Sequence, residues 1–168
     1  MTIEDTISCL RRAYPEISKK VTYDVDKKGN DFCELVLPNE KNPTMPVTIT
    51  VNLNGCFVSA GRIHNLSGNK EMSVENAISA INDILTDQIV FVYKYKNKED
   101  YFDRRACDFN FFVLTGREDD TRDEFDSLVS AIKAPVKSKL EKLFSKNIGI
   151  FEISSFNGKY DEMVERII

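Results

Sequence analysis

Histidine is nearly absent from this chain of 168 residues, where His64 is the single copy. That scarcity removes much of the catalytic repertoire, because general-base and triad chemistry draws on histidine first. A Ser-His-Asp arrangement would depend wholly on His64, and no serine sits in a recognisable nucleophile context or a G-x-S-x-G elbow. Glycine is sparse too, at seven copies. Neither the dinucleotide-binding nor the P-loop glycine pattern occurs, and Gly55-Cys-Phe-Val-Ser-Ala-Gly61 has glycine spacing only, inside an extended pattern. The cysteines Cys9, Cys33, Cys56 and Cys107 stand far apart, whereas structural zinc wants closely spaced pairs. Cys56 and His64 fail as a pair on geometry if the strand between them is straight, since eight residues at about 3.3 Å each hold them about 26 Å apart. No cofactor and no metal are expected.

No signal peptide is expected either. Met1-Thr-Ile-Glu-Asp5 is acidic and lacks an apolar core of the signal-peptide kind. No apolar run approaches the roughly 20 residues of a membrane span. The expected location is therefore cytoplasmic, with no membrane partner and with the cysteines as free, buried thiols.

What is present suits a folded domain. Hydrophobic residues make up 42% and charged residues 30%, a balance that argues against disorder. A chain of this length buries roughly 70% of its extended surface, so its core needs no staples. One domain over 1–168 is expected; a boundary near Gly116 to Asp120 is conceivable, but the two parts look mutually dependent.

The chain is organised around Val47 to Tyr95. Val47-Thr-Ile-Thr-Val-Asn-Leu53 alternates at period two, and Cys56-Phe-Val-Ser-Ala60 resumes the pattern after Asn54-Gly55, a strong hairpin signal. That turn sets Leu53 opposite Cys56, Val51 opposite Val58 and Ile49 opposite Ala60. Ser73 caps a helix whose Val74, Ala77, Ile78, Ile81, Ile84 and Leu85 form one stripe. Ile89-Val-Phe-Val-Tyr93 then reads as a strand covered on both faces.

Upstream, Thr2 and Asp5 form a capping pair for a helix with the stripe Ile3, Ile7, Leu10 and Tyr14, ended by Pro15. Strands at Val21 to Val25 and Phe32 to Leu37 continue one antiparallel meander, and Pro38 to Pro46 is a loop. Downstream, Lys96 to Asp100 reads as a polar turn and Tyr101 to Leu114 as a long strand. Thr121-Arg-Asp-Glu124 reads as a capping box for a helix with Phe125, Leu128, Val129 and Ile132 inward. That helix is broken, kinked or restarted at Pro135, with Val136, Leu140, Leu143 and Phe144 extending the apolar face. Ile148 to Ile153 is a short strand and Tyr160 to Ile168 a last helix. The fold class is α+β: an antiparallel sheet of about six strands with helices packed against it.

Charge supplies the remaining signal. The net charge of −4 argues mildly against a nucleic-acid partner. Lys133, Lys137, Lys139, Lys142 and Lys146 have no interleaved aromatics for base stacking and read as a solvated helix face. Asp119, Asp120, Asp123 and Asp126 lack the glycine and terminal glutamate of a calcium loop, and acids at a helix start already complement its dipole. Between Asp100 and Asp126 acids outnumber bases, densest at Glu118-Asp-Asp120, beside the aromatics Tyr101 and Phe102. Such a surface speeds binding to a basic protein, although simple solubility would account for the acids too.

The order of strand, Asn54-Gly55 turn, strand ending at His64 in Arg62-Ile-His64-Asn-Leu66, helix Ser73 to Leu85 and strand Ile89 to Tyr95 resembles segments of bacterial polymorphic-toxin immunity proteins. The resemblance covers about fifty residues. It implies a small cytoplasmic domain that neutralises a toxin by binding it, and no catalytic motif comes with it. The function expected is a non-enzymatic inhibitor of the immunity type, with phage-encoded inhibitors as a related class. It would bind a basic protein target through Asp100, Asp103, Glu118, Asp119, Asp120, Asp123 and Asp126. Two other readings stay open: an enzyme or small-ligand domain using His64 under the Gly61 to Lys70 loop, and a structural subunit of a larger assembly.

Overall fold

Period-two alternation shapes the first half of the chain. The computed structural model describes residues 2–17, 22–25, 29, 31–61, 66, 70–95, 98–103, 108–115, 120–133 and 149–166. The fold is α+β, with two antiparallel sheets of four strands each among these residues in place of one sheet of about six. Alternation reveals a strand but not its neighbour, which is why the split into two sheets is invisible in the pattern. Two compact units divide the chain, Met1–Thr86 and Asp87–Ile168. The division falls at the end of the Ser73-capped helix, away from Gly116 to Asp120.

In the first unit, α1 (Ile3–Ala13) starts at the capping pair expected: Asp5 N–H donates to Thr2 Oγ1 at 3.1 Å and Thr2 N–H to Asp5 Oδ2 at 2.9 Å. The strands β1 (Thr22–Val25), β2 (Asp31–Leu37), β3 (Val47–Asn52) and β4 (Gly55–Ala60) form a meander in that order. Their register aligns three apolar rows: Cys33, Val51 and Cys56; Leu35, Ile49 and Val58; Leu37, Val47 and Ala60. All nine are buried. The helix α2 (Val74–Leu85), capped by Ser73, packs on β4, and α1 packs on both α2 and β3. The Tyr14 hydroxyl ties the helices together, lying 2.9 Å from the Ile78 carbonyl and 2.7 Å from Asn82 Oδ1. Burial, with Glu16 and Asp83 nearby, raises the Tyr14 pKa, so the hydroxyl stays a donor.

The β3–β4 turn corrects the expected register by two residues. Asn52 pairs with Gly55, and Val51, Ile49 and Val47 face Cys56, Val58 and Ala60. Asn52 is responsible: its Oδ1 accepts from Asn54 N–H (2.8 Å) and Gly55 N–H (3.0 Å), closing the turn around Leu53 and Asn54. Leu53 is left 69% exposed. A two-residue slip keeps side-chain parity, so the buried face is the one expected.

In the second unit the strand order is β6 (Asp108–Val113), β5 (Ile89–Tyr95), β7 (Gly149–Ser155), β8 (Glu162–Arg166). The core strand β5 is buried on both sides of its pleat, as expected. A short helix α3 (Lys98–Phe102) stands where a turn and the start of a long strand were expected; Asp108–Val113 of that strand is extended, and 104–107 lie outside the described residues. Helix α4 (Asp120–Lys133) begins before Thr121, so Thr121-Arg-Asp-Glu124 is not a capping box. The buried Thr121 instead accepts the Tyr160 hydroxyl (2.9 Å), and Glu124 receives Thr115 N–H (2.7 Å). Where a helix from Tyr160 to Ile168 was expected, a turn at Gly158 (φ +78°) instead sends Glu162–Arg166 back along β7 as a strand. Pro135 and the apolar stripe Val136 to Phe144 lie outside the described residues. Among those described, no helix is long and apolar enough to cross a membrane.

Gly55 gives this fold a sharp test. Its φ is +154°, and a Cβ there would meet the Met72 carbonyl oxygen at 2.5 Å, where Cys56 and Met72 exchange backbone hydrogen bonds of 2.9 and 2.8 Å. Gly55→Ala should cost about 1–3 kcal/mol in urea denaturation. Leu53→Ala at the exposed tip should stay within about 0.5 kcal/mol. Equal effects from the two would contradict this geometry.

Candidate partner-binding surface

The fourteen residues of α4 turn Phe125 and Val129 into a core with Val90, Val92, Ile153, Tyr160 and Val164, leaving Arg122, Asp123, Asp126 and Lys133 on the solvent side. That side is mixed in sign. Arg122 Nε meets Asp126 Oδ1 at 3.1 Å with both side chains more than half exposed, a contact worth under about 1 kcal/mol. Lys133 Nζ meets Glu162 Oε1 at the same distance.

The helix α3 takes the other side of sheet β6-β5-β7-β8. Along β5, Val90 and Val92 face α4, while the alternate residues Phe91, Tyr93 and Tyr95 face away from it. Tyr95 is fully buried, and its hydroxyl donates to Glu152 Oε2 at 2.7 Å. Tyr101 stands edge-on to Tyr95 with ring centroids 5.3 Å apart at 85°, and Phe102 stands edge-on to Tyr101, again at 5.3 Å. The short helix is closed by Asp103 N–H donating to the Glu99 carbonyl at 2.8 Å. Lys98-Glu-Asp-Tyr-Phe-Asp103 carries three acids against one lysine, with Glu99 and Asp103 exposed and Asp100 half-buried. Phe102 is 75% exposed, the largest fraction among the exposed apolar side chains described.

The acids expected to bind a partner are thus not one patch. Asp100 and Asp103 belong to the α3 corner, and Asp123 and Asp126 to the outer side of α4. Asp120 begins α4, its side chain outside the described set; Glu118 and Asp119 lie outside the described residues, as does His64. Glu99 was missed, because Lys96 to Asp100 reads as a polar turn. The apolar i, i+3, i+4 stripe that betrays a helix needs more than the five residues of α3.

Other chemistry-bearing groups are structurally engaged. Cys33 and Cys56 are free and buried, and Cys9 is half-buried. Burial pushes the Cys56 thiol up to about 11 and also raises Cys33, the opposite of a reactive thiolate. The charges of Asp87 and Glu152 act on Asp161, which follows the β7–β8 turn. Asp161 Oδ1 accepts from Ser155 N–H (2.8 Å) and Asp87 Oδ1 from Asn157 N–H (2.8 Å). Among the described residues, no group of three or more His, Cys, Asp or Glu is placed to hold a metal ion.

No family model matches the chain, and no curated protein or solved structure is significantly similar to it.

Partial desolvation of its carboxyl, reinforced by the charges of Asp87 and Glu152, raises the Asp161 pKa above the usual 3.8 although the residue stays exposed and the Ser155 hydrogen bond opposes the shift. A carboxyl whose folded-state pKa is raised contributes stability that is fully present below its unfolded pKa and is lost as pH rises through the folded value. Asp161→Asn keeps an acceptor for Ser155 and removes the charge. Its stability relative to the parent should therefore improve as pH rises from about 4 to 7, read as urea midpoints. A deficit of equal size at both pH values would contradict this assignment.

Proposed function

We propose that this chain is a non-enzymatic, protein-binding inhibitor of the immunity type, acting by stoichiometric binding to a basic toxin or effector domain. The observation that carries the reading is the α3 corner, where exposed Glu99 and Asp103 flank a three-quarters exposed Phe102. A stoichiometric inhibitor needs a shaped, charged surface and no reacting group. Charged groups around a contact steer encounter and help exclude wrong partners, while a desolvated apolar centre supplies affinity. The order of elements from Val47 to Tyr95, similar to segments of immunity proteins, is the second support.

Capture of the tagged protein's partner from lysate of its source organism, and of competing strains or phage hosts, tests this reading. A single stoichiometric partner resistant to moderate salt is expected. With the double variant Glu99→Lys and Asp103→Lys, association should slow on the order of tenfold and lose much of its salt dependence. Unchanged affinity and salt dependence in that variant would reject the α3 surface. A clean monomer that captures nothing would reject the inhibitor reading.

A further inference from the structure

We infer that Asn54, at the tip between β3 and β4, is a spontaneous deamidation site whose rate is set by the Asn52 side chain. The site lies in the first unit, and its chemistry is independent of any partner. Such a reaction needs an asparagine amide open to water, an unhindered following residue and a backbone N–H able to lose its proton. Asn54 is exposed, and Gly55 follows it with no Cβ to obstruct ring closure. A side chain at 55 would slow the reaction, but the fold excludes one. Its Cβ would stand 2.5 Å from the Met72 carbonyl oxygen.

The chemistry balances with water and hydroxide alone. Hydroxide takes the Gly55 amide proton, and the freed nitrogen attacks Asn54 Cγ. An N–C bond forms to the backbone nitrogen as the bond to the side-chain nitrogen breaks. That nitrogen takes a proton from water and leaves as ammonia, regenerating hydroxide and closing a succinimide ring. Water then opens the ring at either carbonyl, giving aspartate or isoaspartate. Both products add one negative charge to a chain at −4. Isoaspartate also inserts a carbon into the backbone just before Cys56, which exchanges hydrogen bonds of 2.9 and 2.8 Å with Met72. A turn lengthened in this way loosens.

Asn52 stands against the first step. Its Oδ1 accepts Gly55 N–H at 3.0 Å and Asn54 N–H at 2.8 Å. The attacking nitrogen therefore holds its proton in a hydrogen bond that must break before hydroxide can remove it. The same pair of bonds fixes the peptide plane and opposes the rotation that carries the nitrogen onto Cγ. The turn between β7 and β8 holds a second exposed pair, Asn157 and Gly158, built on other acceptors. There Gly158 N–H donates to the Ser155 carbonyl at 3.2 Å and Asn157 N–H to Asp87 Oδ1 at 2.8 Å. Asn157 is thus an internal reference for Asn54.

The test holds the full chain near neutral pH, folded in buffer or unfolded in urea. Peptide mapping that separates aspartate from isoaspartate follows both asparagines over time. Folded Asn54 should react more slowly than unfolded Asn54. Asn52→Ala should speed the folded reaction at Asn54 by roughly two- to tenfold and leave Asn157 at its parent rate. Asn52→Asp, which keeps an acceptor in the turn, should stay near the parent. Isoaspartate should appear among the products, because direct hydrolysis of the amide gives aspartate alone. Ile49→Val lightens the core of the same sheet without touching the turn, and Asn54 should keep its parent rate there. Equal Asn54 rates in the parent and Asn52→Ala would overturn the assignment, as would aspartate as the sole product. So would an Ile49→Val acceleration as large as that of Asn52→Ala. Asn54 staying intact in folded Asn52→Ala, over a time in which the unfolded chain converts, would overturn it too.

Discussion

Tyr95 is the residue on which the second unit's surface depends. It ends a strand that is buried on both faces, and its hydroxyl there donates to a carboxylate, Glu152, across the β5–β7 ladder. A buried phenol without a partner would cost about 1–3 kcal/mol. The same ring gives Tyr101 an edge-on contact, and with it the five residues of α3 gain a fixed attachment that so short a helix lacks by propensity alone. The exposed end of the ladder is therefore a consequence of core packing. Its position is set by the most buried strand of the unit.

The first unit obeys a simpler constraint. Three strands in register bring nine small and branched apolar side chains onto one face, and two helices cover it. Those rows place Cys33 and Cys56 two strands apart, about 10 Å across the sheet at the usual strand spacing. That is too far for a disulfide, which needs Cα atoms within roughly 7 Å. Their role is to fill the face, and the upward push on both thiols agrees with it.

Much of this was readable from residues because the signals are local. The Thr2–Asp5 cap, the Ser73 cap, the alternation of Val47 to Ala60 and the apolar run of β5 each declare an element within a few positions. The misses arise where a distant contact decides. The hairpin register turned on the Asn52 side chain, which competes for the turn N–H groups, and the slip preserved parity so the core was still placed correctly. Glu162–Arg166 has the composition of a helix, yet pairing with β7 and the Gly158 turn make it a strand. Nothing in the pattern separates one sheet from two. The candidate surface was half legible: Asp100, Asp103 and Phe102 stood out by charge and aromaticity, whereas Glu99 and the parting of the α3 acids from those of α4 depend on which side of β5 each helix covers.

Hydrogen exchange on the free protein and on the protein saturated with its captured partner tests the central claim most directly. The account predicts that new protection centres on 98–103, with the outer side of α4 little changed. Protection confined to α4 or to the Leu53 hairpin tip, with 98–103 exchanging as before, would contradict it.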